Sequence, residues 1–228
     1  MTPPKAVLFD FSGTLFRFQE QPEWFADLHD ENGDPLHLEA QAELMRRMTQ
    51  PVGLRVEVSD DDRIAWENRD LDPAQHRQAY LAILRASGLT APGHAESLYG
   101  RLLQPDSWTP FPDTVATLCG LRDAGIPTAV VSNIAFDLRD VLSMNGVTAD
   151  AVVLSYEVGS IKPNPLIFGR ALDQLGVVGS DALMIGDSAV ADGGAAQLGC
   201  AVEIVDDAPT EQRPRALLDA LARHGISL

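Results

Sequence analysis

Four short segments hold residues whose types and spacing could do chemistry. The first is Val7-Leu8-Phe9-Asp10-Phe11-Ser12-Gly13-Thr14-Leu15, an apolar run that ends in a carboxylate and continues into a Gly-Thr turn. A strand ending at Phe9 would set Asp10 on the floor of a crevice. Gly13 permits a close backbone approach or an unusual torsion there, and the N–H groups of the turn could receive an anion. Taken alone, the pattern equally fits an Asp that closes an ordinary loop through hydrogen bonds to its own backbone.

The other three segments narrow that choice. Val130-Val131-Ser132-Asn133 ends an apolar run in a hydroxyl and an amide, both suitable donors to a phosphoryl oxygen and both also common helix caps. Glu157-Val158-Gly159-Ser160-Ile161-Lys162-Pro163 sets a lysine in a tight turn before a helical pattern. Lys5 and Lys162 are the only lysines, so this chain normally fills a cationic position with arginine, and a lysine in that turn calls for a chemical reason. Its ammonium could neutralise a nucleophilic carboxylate or a transferring group. Ile185-Gly186-Asp187-Ser188-Ala189-Val190-Ala191-Asp192 ends a further apolar run in two acids. With Asp10 these could form the oxygen-rich site that Mg²⁺ prefers. Paired acids on a turn are also ordinary N-terminal helix charges.

The elements that must position these residues follow from periodicity. Runs at 6–9, 128–131, 151–154, 182–185 and 201–204 read as five strands, four of them continuously apolar or β-branched as in a parallel sheet covered on both faces. Between them lie helical patterns. Pro112-Asp113 opens one carrying Val115, Leu118 and Leu121, stopped by Gly125, and Pro163 opens another carrying Ile167, Phe168, Ala171, Leu172 and Leu175 before Gly176. The alternation predicts a doubly wound α/β, Rossmann-like fold, in which ligands bind beyond the carboxyl ends of the strands. Asp10, Ser132 and Asp187 all fall at such ends.

The stretch from Phe16 to Trp108 has no strand rhythm. Ala40, Leu44, Met45 and Met48 recur at helical spacing up to a stop at Pro51, and Asp72-Pro73 caps a helix carrying Tyr80, Leu81 and Leu84 that ends at Gly88. Segments near 60–69 and 93–103 also read as helices. The expected organisation is therefore an α/β core from residues 1–15 and 109–228, with a helical domain inserted at 16–108.

The four segments, in this order and at these strand ends, resemble the four motifs of the haloacid dehalogenase-like (HAD) hydrolase superfamily. The inserted helices resemble the cap of its phosphoglycolate phosphatase and β-phosphoglucomutase branch. The resemblance implies a phosphatase acting on a small phosphorylated metabolite. Asp10 would be the nucleophile that forms an aspartyl-phosphate, and Gly13, Thr14, Ser132, Asn133 and Lys162 would surround the phosphoryl group. The Mg²⁺ cofactor would be bound by Asp10, the Ser12 carbonyl and Asp187, with Asp192 in support. It also exposes a departure, because phosphatases of the family usually carry a second Asp where this chain has Ser12. That Asp protonates the leaving oxygen and then activates water, and a hydroxyl is a poor general acid or base. The resemblance thus implies slower turnover, or a preference for good leaving groups.

Two other readings stay open: a binding module that keeps the fold without turnover, and a 2-haloacid dehalogenase using the same carboxylate on carbon. Composition excludes other classes. With 33 acidic against 17 basic residues in 228, the formal charge of −16 would repel nucleic acid and anionic membranes. Cys119 and Cys200 lack metal-ligand spacing and read as small core residues. No apolar run reaches membrane-spanning length and no signal-peptide core precedes Asp10, which points to the cytoplasm. For specificity, Phe16, Arg17, Phe18 and Trp24 could line an entrance and Arg46, Arg47, His76 and Tyr80 could reach a substrate, although packing or solvation explains each as well.

Overall fold

A computed structural model describes residues 3–19, 22–30, 32–49, 56–206 and 210–228. The expected helix stop at Pro51 lies outside them. The chain divides into two compact units, one made of Met1–Arg17 with Trp108–Leu228 and the other of Phe18–Ser107. In chain order it forms β1 (Ala6–Phe9) and β2 (Phe16–Phe18), then helices α1 (Leu38–Thr49), α2 (Asp60–Glu67), α3 (Pro73–Ala86) and α4 (His94–Leu102). There follow β3 (Trp108–Pro110), α5 (Thr114–Asp123), β4 (Thr128–Ser132), α6 (Arg139–Met144), β5 (Ala151–Leu154), α7 (Ser155–Val158) and α8 (Pro165–Leu175). The chain closes with β6 (Ala182–Gly186), β7 (Ala201–Ile204) and α9 (Ala216–Arg223).

Five strands form one parallel sheet in the order β5-β4-β1-β6-β7. Every residue of β1, β4 and β6 is buried, which is why their sequences show no alternation. β7 is an edge strand with one neighbour and is only partly buried, so it tolerates Glu203. Phe9 lies beside Val130 on one side and Ile185 on the other. That register brings the residues after β1, the end of β4 and the residue after β6 out at one edge of the sheet. The strand order also reverses direction around β1, which makes this edge the crevice where doubly wound sheets bind ligands. On one face Leu8, Val131, Val153 and Met184 pack against Ile167, Phe168, Ala171 and Leu172 of α8.

Two helix expectations need correcting. α5 turns Thr114, Thr117, Leu118 and Leu121 inward, and Val115 is 39% exposed. The Thr114 hydroxyl donates to the Leu15 carbonyl at 2.7 Å, which rotates the buried stripe away from Val115. α8 begins at Pro165 rather than Pro163. Its N-cap is Asn164, whose side chain accepts the Leu166 N–H, and Pro163 belongs to the preceding turn with a cis bond to Lys162.

In the helical unit α3 is the central element. Asp72 accepts the N–H groups of Ala74 and Gln75, satisfying the first turn. One side of α3 packs Ala79 and Ile83 on Ala65 and Trp66 of α2. His76 and Tyr80 are buried within the unit, at 3% and 7% exposure, and His76 Nδ1 pairs with the Tyr99 hydroxyl at 2.9 Å. Among the described residues no helix is long and apolar enough to cross a membrane.

Burial, and then the nearby Arg69 charge, hold the His76 imidazole down at about 4. Folding therefore resists its protonation. Stability should be unaffected above pH ~6.5 and should fall as the pH drops toward ~4, by about 3 kcal/mol from this group. Urea unfolding of the wild type and His76→Gln between pH 4 and 7.5 checks this, because the variant should lose most of that pH slope.

Candidate active site

Asp10 leaves the carboxyl end of β1 with its N–H donating to the Ile185 carbonyl of β6 at 2.9 Å, so its main chain is fixed by the sheet. The residue is 7% exposed. Lys162 is 5% exposed and reaches it from the turn before α8, with Nζ donating to Asp10 Oδ1 at 2.5 Å and to Asp192 Oδ1 at 2.7 Å. Asp187 follows β6 directly. Asp10, Asp187 and Asp192 each present a carboxylate oxygen, and the three oxygens lie within 4.8 Å of one another.

The electrostatics follow from confinement. Burial pushes the Asp10 carboxyl up to about 7, while Lys162 pulls it back and the two neighbouring aspartates raise it further. Burial and then Asp192 raise Asp187. Burial opposes the charge on Lys162, but Asp10 and then Asp192 outweigh it and hold the ammonium protonated. Three carboxylates share a single ammonium. That ratio and an all-oxygen donor set suit a hard divalent cation. Of the three acids, Asp192 is the most committed already: it is fully buried, one oxygen accepts from Lys162 and the other accepts the Ser188 N–H at 3.0 Å.

Two glycines make this crowding possible. Gly13 has a φ of +84°, and a Cβ built on it would overlap the Asp187 carboxylate. A Cβ on Gly186 would overlap Asp192. Each glycine lets backbone lie directly against a carboxylate.

The other sequence-predicted residues divide. Ser132 ends β4 and is buried. Asn133 does something the sequence did not foretell. Its Nδ2 donates to the Lys162 carbonyl at 3.1 Å and its Oδ1 accepts the Lys162 N–H at 2.7 Å. The side chain expected to meet a phosphoryl group clamps the main chain that carries the lysine. Ser155 supports the same region, its hydroxyl accepting the Ile134 N–H at 2.9 Å and donating to the Ile134 carbonyl at 3.1 Å. Thr14 is fully buried and Ser12 is exposed.

Several specificity candidates are spent on packing. Phe16 is fully buried and stacks on Phe11 with centroids 4.9 Å apart. Trp24 is buried against Phe18. Arg46 and Arg47 both pair with Glu43. The sequence also missed Arg213, buried at 4% exposure and hydrogen-bonded to the carbonyls of Gly13 and Thr14. Two hundred residues separate it from that loop, so no local pattern could have indicated the pairing.

Removing the Lys162 charge should expose the cost of confinement. In metal-free buffer Lys162→Met should lose about 3–5 kcal/mol at pH 8. A carboxyl raised on folding stabilises below its unfolded value and loses that contribution as the pH rises through its folded one. For Asp10 this spans roughly pH 4 to 7 with Lys162 in place, and loss of the ammonium moves the upper limit higher still, so the variant should recover much of its loss by pH 5. Urea denaturation at both pH values checks this, and an equal loss at both would disprove the charge explanation.

Comparison with known proteins gives the family. The family model described as "haloacid dehalogenase-like hydrolase" matches residues 4–199. A ribulose-1,5-bisphosphate 5-phosphatase of Halopiger xanaduensis is 30% identical over 169 residues, covering 67% of this chain and 70% of that protein. A haloacid dehalogenase-like hydrolase domain-containing protein 3 of Danio rerio is 33% identical over 100 residues, 43% of this chain and 41% of the relative. The match thus spans about two fifths of the length of that relative. Among solved structures, a HAD phosphatase from Thermococcus onnurineus superposes with a TM-score of 0.52 at 25% identity, covering 88% of this chain and 86% of that one.

Proposed function

The chain belongs to the haloacid dehalogenase-like hydrolases, and from that membership we propose that it is a Mg²⁺-dependent phosphatase acting on a small phosphorylated metabolite. The observation that carries this reading is the buried cluster in which Lys162 bridges Asp10 and Asp192 beside Asp187. Three carboxylates around one ammonium suit a divalent cation, whereas displacement of a halide from carbon gains nothing from three confined carboxylates.

In this reading Asp10 attacks phosphorus in line with the leaving oxygen. A bond forms from Asp10 to phosphorus as the bond to the leaving group breaks, giving an aspartyl-phosphate. Water then attacks phosphorus, releases inorganic phosphate and restores the carboxylate. Lys162 favours the ionised form of Asp10 against the cost of burial and offsets charge on the phosphoryl oxygens. Ser132 donates to one of those oxygens, and the backbone of Gly13 and Thr14 lines the loop that receives the group. Asn133 acts through Lys162, holding its main chain. Asp10, the Ser12 carbonyl and Asp187 would hold Mg²⁺, with Asp192 in support. When bound, the ion supplies electrophilic assistance to the phosphoryl oxygens.

Ser12 sets the limits of this chemistry. Without a general acid the leaving oxygen departs unprotonated, which slows alkyl phosphates by roughly 10²–10⁴, about 3–5 kcal/mol in the barrier. Acyl and aryl phosphates need little protonation and are the favoured class.

Phosphate release from acyl, aryl and alkyl phosphates, measured with and without Mg²⁺, tests the proposal. Release should require Mg²⁺, vanish in Asp10→Asn and fall steeply with rising leaving-group pKa. Ser12→Asp should raise alkyl-phosphate turnover by about tenfold or more. Halide release from a 2-haloacid without metal would overturn the assignment, as would a folded wild type inactive on the whole series.

A further inference from the structure

Arg213 lies outside the acidic cluster, yet it holds the loop that follows Asp10. Its Nη1 donates to the Gly13 carbonyl at 2.6 Å and to the Asp206 carbonyl at 3.2 Å, and its Nη2 donates to the Thr14 carbonyl at 3.2 Å. The guanidinium lies 3.8 Å from the centroid of the Phe111 ring. A planar fork fits two successive carbonyls and stacks on a ring face, and a lysine ammonium can do neither job as well.

The segment that carries Arg213 is itself fastened. The Val205 N–H donates to the Gly186 carbonyl at 2.9 Å, at the end of the strand that precedes Asp187. Arg17 donates to the Thr210 hydroxyl. Beyond Arg213, Asp113 Oδ2 accepts the N–H groups of Leu217 and Leu218 at 2.8 and 3.1 Å. Arg213 thus reaches the nucleophile loop from a support tied to β6 on one side and to the start of α5 on the other.

The consequence follows from peptide geometry. In a trans peptide the carbonyl and the next N–H point in opposite directions. With the Gly13 and Thr14 carbonyls turned to Arg213, the N–H groups of Thr14 and Leu15 face away from it. The Leu15 N–H accordingly donates to the Phe11 carbonyl at 3.0 Å, and the Gly13 N–H donates to Phe16 at 2.8 Å. Gly13 is also the residue packed directly on Asp187. Were the Thr14–Leu15 peptide to flip, its carbonyl oxygen would turn from a cation toward the Phe11 carbonyl.

We propose that Arg213 is a positioning residue for the reaction at Asp10. It fixes the Gly13–Thr14 and Thr14–Leu15 peptides, and through them the aim of Asp10 and the seat of Asp187. The inference rests on Asp10 being the nucleophile. It extends the site to a side chain outside the four motifs.

Full-length Arg213→Lys, Arg213→Gly and the control Arg215→Lys, whose parent side chain is 65% exposed, test it with p-nitrophenyl phosphate and Mg²⁺. Arg213→Lys should lower kcat by about tenfold to a hundredfold while leaving KM within about threefold. Arg213→Gly should be restored by added methylguanidinium and not by methylammonium. Amide exchange in both Arg213 variants should accelerate at Leu15 and Phe16, which donate to Phe11, and stay unchanged in β4. A kcat within about twofold of wild type, equal rescue by both cations, or exchange accelerated equally across the sheet would overturn the proposal. Failure of the nucleophile reading gives a different pattern, with wild type and Arg215→Lys both inactive while the local exchange effect persists.

Discussion

A lysine ammonium enclosed between two carboxylates governs the architecture around it. Lys162 and Asp10 are each nearly inaccessible, and an ion buried alone would cost several kcal/mol. Neither can be placed without the other, and Asp192 supplies the second contact that keeps the ammonium charged. Neighbouring features serve that arrangement. Asn133 clamps the lysine's main chain, Ser188 holds the far oxygen of Asp192, and Gly186 leaves the space in which Asp192 lies. Three carboxylates still share one ammonium, and that all-oxygen set suits a divalent cation.

The sheet makes such a cluster attainable. In a parallel sheet the central strands end side by side, and the register of β1 with β4 and β6 brings Asp10, Ser132 and Asp187 out at one edge. The backbone hydrogen bonds that define the strands thereby fix the main chain beneath each functional group. What the sheet does not fix is the loop after Asp10, since the ladders of β1 end at Phe9. The guanidinium fills that role by binding two successive carbonyls.

Much of this was legible in the sequence. Strands such as Ala6–Phe9 and Ala182–Gly186 were readable because burial on both faces demands uninterrupted apolar runs. The acids and the lysine stood out because ionisable residues at the ends of such runs have few structural uses, and because lysine is rare in this chain. Helix phase was less legible. Val115 satisfied the apolar spacing of α5, but the Thr114 hydroxyl bond to Leu15 turned the helix so that threonines, not the valine, face inward. The bonds of Asn133 to the Lys162 main chain were not legible, since an amide after a strand says nothing about which backbone it will meet.

The sequence by itself determined the parallel α/β class, the four segments and the identity of the charged groups, because each depends on local periodicity or on residues close in the chain. Only the tertiary structure decided how those groups are paired. Lys162 meets Asp10 across 152 residues and Arg213 meets Gly13 across 200. Contacts over such separations leave no spacing signal, because the whole sheet must form before either side chain has a partner.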